Sequence, residues 1–524
     1  MMQQIRQHIP QVQGPLPVNA DSYPFSTMVH ANDPLDLSEY GYVEEEYLLE
    51  GDADTYSERI DDGSASEVGN AIPDGQPTHY VTRVLVRRPA EEAPQNAWLS
   101  ILNASQGYDI EDDWRRAWDY IIAQRDCYVG VTSKPINADA LHNFDGNRYA
   151  RVTWGGKLPG LHAEPGWNPF QIIPDSEEGL AWDILAQAGA WVRSGLSFPA
   201  PNHVVMMGQS QSAVYANTYL TYFDALLTGP SGERIFDGYL PGAGSVLCRE
   251  LRQMQLSDSD PESATVVHSG VKATFIPRLL PPAQIDAPVI TITTEADTHL
   301  FAGLGSGAEA FMLGDGPKRR HWHVAGAPHS DARSRVIPCD SEIRKACRLP
   351  RNRNEEWLRS LITLPVEPVI TAAMNAIVRW IDQGIPAPDS VYFDTQTWPD
   401  GRIDVQNDSG ASVSGGRQFV NDARGNRAGG IRLGMLQHPI ADFHPAALEQ
   451  GVSGTMTLCD AAQVKALYPT CESYQRACDE VDDRLQAAGY LEAHGRRLLH
   501  NVEAELWRRC AEGSAPLEYT PQEV

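Results

Sequence analysis

Apolar positions along the chain follow two regimes. In the first 90 residues they alternate with polar ones. Tyr80-Val81-Thr82-Arg83-Val84-Leu85-Val86-Arg87 sets Val84 and Val86 against Arg83 and Arg87, the two-residue period of a half-buried strand, and Pro89 ends it. Residues 20 to 90 therefore read as β-rich. From about residue 97, short apolar runs alternate with longer helical stretches. The runs are Trp98 to Leu102, Tyr128 to Thr132, Val204 to Met207, Phe236 to Leu240, Pro288 to Thr293 and Arg320 to Val324. Helical stretches cover Trp114 to Gln124, Gly179 to Ser194 and Ala213 to Leu227. This alternation predicts an α/β fold whose mostly parallel central sheet carries helices on both faces. A further helix over 367–383 places Ile370, Met374, Ile377, Val378 and Ile381 on one face; Pro368 suits its first turn, and Gly384 and Pro386 stop it.

The same pattern divides the chain into an N-terminal β-rich extension (1–96), an α/β core (97–385) and a C-terminal region (386–524). Residues 245–283 interrupt the core between two strands with few strand signals of their own and are expected to form a lid. Residues 338–366 form a second insert, placed to line an entrance.

Charge narrows the partners. The formal net charge is −27 and the pI about 4.9, so the chain repels phosphate backbones and anionic lipid surfaces, and nucleic-acid binding is set aside. Glu44-Glu45-Glu46 and Asp61-Asp62 read as solvated loops and strand ends. No run approaches the ~18 apolar residues of a membrane span. The first residues lack an apolar signal core, so a cytoplasmic location is expected in this numbering. The eight cysteines show no Cys-x-x-Cys spacing, which leaves a zinc cluster unsupported. Cys339 and Cys347 are near enough in sequence to bridge, as are Cys471 and Cys478, but free buried thiols are the default without a secretory signal.

Candidate chemistry centres on Gly208-Gln209-Ser210-Gln211-Ser212. A nucleophile elbow needs a strand, a sharp turn and a helix, with small residues two before and two after the nucleophile. Gly208 meets this requirement; Ser212 stands where a second glycine is usual. A serine hydroxyl needs a base. His329, in the Gly/Pro-containing loop Ala325-Gly326-Ala327-Pro328-His329 after the last core strand, is the candidate. His321 and His323 lie inside that strand on one face and read as structural histidines, with no third metal ligand evident. The acid follows the strand Pro288 to Thr293. Spacing favours Asp297, with Glu295, closer to the strand, as the alternative. The order Ser210, Asp297, His329 is the one this architecture requires. Donors to a tetrahedral oxyanion are expected from the Gln211 backbone N–H and from the loop after the 98–102 strand, at Ala104, Ser105 or Gln106.

At these residues the chain resembles a known family. The segments Ser22-Tyr23-Pro24-Phe25, Tyr40 to Tyr47, Thr82 to Pro89, Leu102-Asn103-Ala104-Ser105-Gln106-Gly107 and Asp113-Trp114-Arg115 are similar to those of a large, sparsely characterised α/β-hydrolase-domain family of serine esterases. So are the elbow Gly208 to Ala213, Thr294-Glu295-Ala296-Asp297, Val324-Ala325-Gly326 with His329-Ser330-Asp331, Asp422 to Arg432, and Leu467-Tyr468-Pro469. The resemblance implies an α/β-hydrolase fold and a Ser-His-acid triad, and makes Ser212 an expected variant. It also implies that the C-terminal region wraps the core. Trp154 to Gln171 and Ser341 to Leu364 look longer than the family's usual form, at places suited to shaping a pocket.

The expectation is a carboxylic ester (or lactone) hydrolase acting on a small organic molecule through an acyl-enzyme, without cofactor or metal. Two alternatives share the sequence features: an acyltransferase using the same triad, and a binding protein on a hydrolase scaffold. None of these features specifies an oligomeric state.

Overall fold

The computed structural model describes residues 4–59, 70–169, 171–244, 247–252, 271–272, 284–300, 308–312, 315–330, 338–350, 359–397, 417–445 and 453–514. Asp61-Asp62 and nearly all of the 245–283 insert lie outside them.

One ten-stranded sheet organises the chain. Its main strands are β1 (Gln11–Gln13), β2 (Tyr42–Ala53), β3 (Thr78–Pro89), β4 (Asn96–Ile101), β5 (Cys127–Val131), β6 (His203–Gln209), β7 (Gly238–Gly242), β8 (Val289–Thr294) and β9 (Arg319–Val324). The spatial order is β9-β8-β7-β6-β4-β5-β3-β2-β1, and the short piece Thr153–Trp154 adds onto β3. From β9 to β5 every pair is parallel, and β3, β2 and β1 join antiparallel. The N-terminal strands therefore continue the sheet of the core.

Alternation along β6 explains the two faces. Val204 and Met206 enter one core with α3 (Ala181–Ser194) and α4 (Gln211–Tyr222). Val205 and Met207 enter the other, with α1 (Asp112–Ala123) and α5 (Glu367–Gln383). All four side chains are fully buried, which is why the strand reads as a continuous apolar run. The helix predicted over 367–383 forms with those bounds; Ile370, Met374 and Ile377 are buried, while Val378 and Ile381 pack at the edge of the same core. Gly384 closes it in the left-handed region at φ 65°.

Three expectations need correction. The helix after the elbow ends at Tyr222, five residues early, because Leu227–Thr228 is taken up as a strand paired with Ile5–Arg6. Glu44, Glu45 and Glu46 are not a solvated strand end: they lie within β2, and Glu46 is 1% exposed. Arg83 and Arg87 are likewise fully buried, so β3 is covered on both faces. Charge pairing is the reason. Arg83 donates to Glu46 at 2.8 Å, Arg148 donates to the other Glu46 oxygen at 2.5 Å, and Arg87 bridges Glu44 at 2.8 Å and Glu111. Third, the 338–366 insert is partly core: its helix Asp340–Lys345 carries Ile343 into the interior.

Of the C-terminal helices, α6 (Cys471–Ala488) lays Tyr474 and Cys478, and α7 (Ala493–Glu512) lays Leu498, Leu499, Val502 and Leu506, into the core that α5 also fills. His494 lies 2.7 Å from Asp119 of α1. All eight cysteines are unpaired. Among the described residues, no helix is long and apolar enough to cross a membrane.

Between α6 and α7, Glu503 is fully buried, and no N–H or O–H donor reaches either carboxyl oxygen. Burial, then the charges of Asp482 and Asp479, push its carboxyl up to about 8, against the opposing pull of Arg496. The folded state therefore holds a proton that the unfolded chain releases above the ordinary Glu value of 4.5, so this group makes stability fall as pH rises from about 4.5 to about 8. Glu503→Gln removes that titration. The stability difference between variant and wild type is expected to move in the variant's favour by roughly 3–4 kcal/mol from pH 5 to pH 8, measured by urea unfolding; a difference independent of pH contradicts it.

Candidate active site

Ser210 sits between β6 and α4 with φ 57° and ψ −122°. This positive φ is costly for a residue with a Cβ and marks a backbone held by its surroundings. The turn is tight enough that a Cβ on Gly208 would lie 2.7 Å from the backbone of Ser212, so only glycine fits two positions before Ser210. Ser212 itself is fully buried. Its side chain, one CH2–OH longer than glycine's, is therefore accommodated. The Ser210 N–H donates to the Gly242 carbonyl at 2.9 Å, tying the elbow to β7.

The structure brings Ser210, His329 and Asp297 together. Ser210 Oγ lies 2.8 Å from His329 Nε2, and His329 Nδ1 lies 2.6 Å from Asp297 Oδ1. Asp297 is fully buried, and its Oδ2 accepts the Thr294 N–H at 2.7 Å. Glu295 is not brought to His329. Its Oε2 accepts the backbone N–H groups of Gly326 at 2.7 Å and Arg427 at 2.9 Å. Glu295 thus ties the acid-bearing segment to the histidine loop and to the C-terminal region. Burial raises its pKa above the ordinary carboxylate value.

The histidine loop is held from several sides. Arg116 of α1, itself buried, donates to the His329 carbonyl at 3.1 Å, and Arg115 donates to Ser330 Oγ at 3.0 Å. The Ala296 N–H donates to the Ala327 carbonyl at 3.2 Å. The helix was expected over Trp114 to Gln124, but sequence reasoning missed the part played by Arg116, since its partner is a backbone carbonyl.

The loop after β4 lies beside the elbow. The Asn103 amide donates to the Gln209 carbonyl at 3.0 Å, one residue before Ser210. Asn137 donates to the Asn103 carbonyl at 3.3 Å, and Lys134 Nζ donates to the Leu102 carbonyl at 2.7 Å. Lys134 is fully buried, and desolvation lowers its pKa to about 7. Of the expected oxyanion donors, Gln211 N–H lies in the first turn of α4, where no intrahelical acceptor exists. The Ala104 N–H points across the site and donates to Gln211 Oε1 at 3.1 Å. The Ser105 N–H turns back onto Asn103 Oδ1 at 2.7 Å, within the loop. Gln106 faces Tyr108, whose hydroxyl donates to it at 2.7 Å.

The two segments that look long for the family meet here. Arg348 Nε donates to the Gly107 carbonyl at 2.7 Å, and the Arg348 guanidinium stacks 5.0 Å from the Trp167 ring. Gly107, at φ 74°, has no room for a Cβ because the Trp167 ring occupies that position.

His321 and His323 do share a face of β9, with ring centroids 4.5 Å apart. His321 Nε2 lies 2.7 Å from Thr293 Oγ1, and His323 bonds to the backbone of Phe311 and Phe393.

A family model described as an alpha/beta hydrolase domain matches residues 12–500. No curated protein matches the chain. Among solved structures the chain is similar to the esterase Est22, at 10% identity and a TM-score of 0.28, over 54% of this chain and 72% of that one. It is similar to esterase 2 of Thermogutta terrifontis at 10% identity and a TM-score of 0.28, over 46% of this chain and 79% of that one. Likenesses this distant carry no argument about activity.

The contacts of Glu295 generate a stability prediction. Glu295→Ala leaves the buried Gly326 N–H and the half-buried Arg427 N–H without an acceptor and is expected to cost about 2–3 kcal/mol in urea unfolding. Glu295→Gln keeps an oxygen at that point and is expected to retain most of the stability. Equal losses in the two variants contradict the assignment.

Proposed function

The chain belongs to the alpha/beta hydrolase domain family, and from that premise we propose that it is a serine hydrolase cleaving a carboxylic ester or lactone of a small organic molecule through an acyl-enzyme. The observation that carries this reading is the relay Ser210–His329–Asp297, at 2.8 and 2.6 Å, next to a backbone whose positive φ lifts Ser210 out of the strand.

In this reading His329 takes the Ser210 proton as Oγ attacks the ester carbonyl, and returns it to the leaving alcohol when the tetrahedral intermediate collapses. Asp297 keeps the imidazole proton on Nδ1, which leaves Nε2 free to accept, and stabilises the imidazolium that forms. Water, activated by the same histidine, then releases the acid. The Gln211 and Ala104 N–H groups receive the oxyanion. The Gln211 amide oxygen now occupies the Ala104 N–H, so that side chain turns aside as substrate arrives. Trp167 and Arg348 bound the loop that carries the Ala104 donor and shape the neighbouring pocket.

A fluorophosphonate probe tests the nucleophile. Stoichiometric labelling of the wild type, lost in Ser210→Ala with the fold intact by circular dichroism, is the expected result; an unlabelled, folded wild type overturns the reading. A panel of p-nitrophenyl esters tests the acid. Asp297→Asn is expected to lower kcat by about 10⁴, the loss seen when a triad acid no longer fixes the tautomer. Glu295→Gln should stay within a few-fold of wild type, and the opposite ranking would move the acid to Glu295.

A further inference from the structure

The polar face of β8 and β9 has no part in the serine chemistry. Thr291 stands beside His321, and Val289 beside Arg319, in the parallel register of the two strands. Side chains two apart on a strand share a face, so Thr291, Thr293, Arg319, His321 and His323 line one side. The opposite side sends Ile290, Ile292, Trp322 and Val324 into the core beneath α5.

Three groups on the polar side are buried and have unused hydrogen-bonding capacity. Arg319 is 2% exposed, its Nε has no hydrogen-bond partner, and among the described residues no carboxylate pairs with its guanidinium. Burial lowers its pKa to about 10, offset in part by the Tyr392 phenol and the Cys248 thiol nearby. It therefore remains a cation at neutral pH. His321 is fully buried, and its Nδ1 has no partner. Burial, then His323 and Arg319, hold the imidazole neutral. His321 Nε2 lies 2.7 Å from the Thr293 hydroxyl, which can donate to it and so leave the imidazole proton on Nδ1. Thr291 Oγ1, 1% exposed, is also without a partner.

In that tautomer Arg319 Nε–H, His321 Nδ1–H and the Thr291 hydroxyl are three buried donors without partners on one face, with one positive charge. A buried cation without a counter-charge is strongly unfavourable, and buried donors are almost always satisfied by protein, water or an ion. We propose that this face of β8 and β9 binds a compact monoanion on Arg319, His321 and Thr291. A small carboxylate, dihydrogen phosphate and a halide share the required chemistry. A single negative charge balances the single cation, and acceptor lone pairs meet the three donors. The site is independent of whether Ser210 is reactive.

Thermal unfolding in a buffer whose only anion is a bulky sulfonate, with acetate, phosphate or chloride added, tests the site. The wild type is expected to gain about 2 °C or more, saturably, with at least one of the three. Arg319→Met should show no saturable gain and, in the sulfonate buffer alone, should be at least as stable as the wild type, because an unpaired buried cation has been replaced by an apolar chain. Thr291→Val, which keeps the charge and the shape, should shift the half-saturating concentration upward several-fold. The proposal is overturned if wild type and Arg319→Met respond alike, as general salt exclusion predicts. It is equally overturned if Arg319→Met is much less stable in the sulfonate buffer, which would mean the cation already has an internal counter-charge, or if Thr291→Val leaves the response unchanged.

Discussion

Ser210 occupies a backbone conformation of the kind that costs about 1–3 kcal/mol, and much of the surrounding structure consists of what holds it there. β6 and β7 supply the rigid side: the Ser210 N–H is fixed on Gly242, and Gly208 lets the start of α4 come within contact of the strand. The loop after β4 supplies the other side through the Asn103 amide on the Gln209 carbonyl. That loop is in turn suspended from Asn137 and Lys134, which come from the segment after β5. The strained residue is thus braced from three neighbouring strands, and a change in any of them reaches the elbow backbone through one or two hydrogen bonds.

The N-terminal strands take part in the same bracing through buried charge. Arg83 and Arg87 reach from β3 to Glu46 and Glu44 of β2, and also to Asp109 and Glu111, which lie just past the β4 loop. Arg148 and Tyr149 close on Glu46 from a third segment. A lattice of this kind adds little stability over an apolar core of equal volume, because each charge is desolvated. It does fix register: sliding β2 by one residue would separate Arg83 from Glu46 and Arg87 from Glu44, leaving the arginines only Asp109 and Glu111.

How legible these features are in the sequence follows the range of the interactions behind them. The strands β4 to β9 and the helix over 367–383 depend on local periodicity and end signals, and Ser210, Asp297 and His329 depend on position after particular strands; all could be read from spacing. Buried Glu46 and Arg83 could not, since an alternation of charged and apolar positions looks the same whether the charged face meets water or a matching face. The shortened α4 reflects the pairing of Leu227–Thr228 with Ile5–Arg6, more than 200 positions apart in the chain. The part played by Glu295 was hidden because its partners, Gly326 and Arg427, are backbone groups. Arg348 and Trp167 come from segments that were noticed for their length, but their meeting at Gly107 depends on tertiary placement.

The contact between the Ala104 N–H and Gln211 Oε1 bears on how the site discriminates among the species it holds. A neutral ester carbonyl offers that N–H about what the amide oxygen already gives it, so exchanging one for the other brings little gain. An alkoxide oxygen, with its full charge, is a much stronger acceptor. In the hydrolysis proposed above, a resident amide acceptor of this kind would act as a threshold: it would let the ground state compete on nearly even terms and yield decisively only to the charge that develops during attack. Selectivity for the transition state over the substrate would then be set in part by the side chain next to the nucleophile, through the strength of the acceptor that has to be displaced.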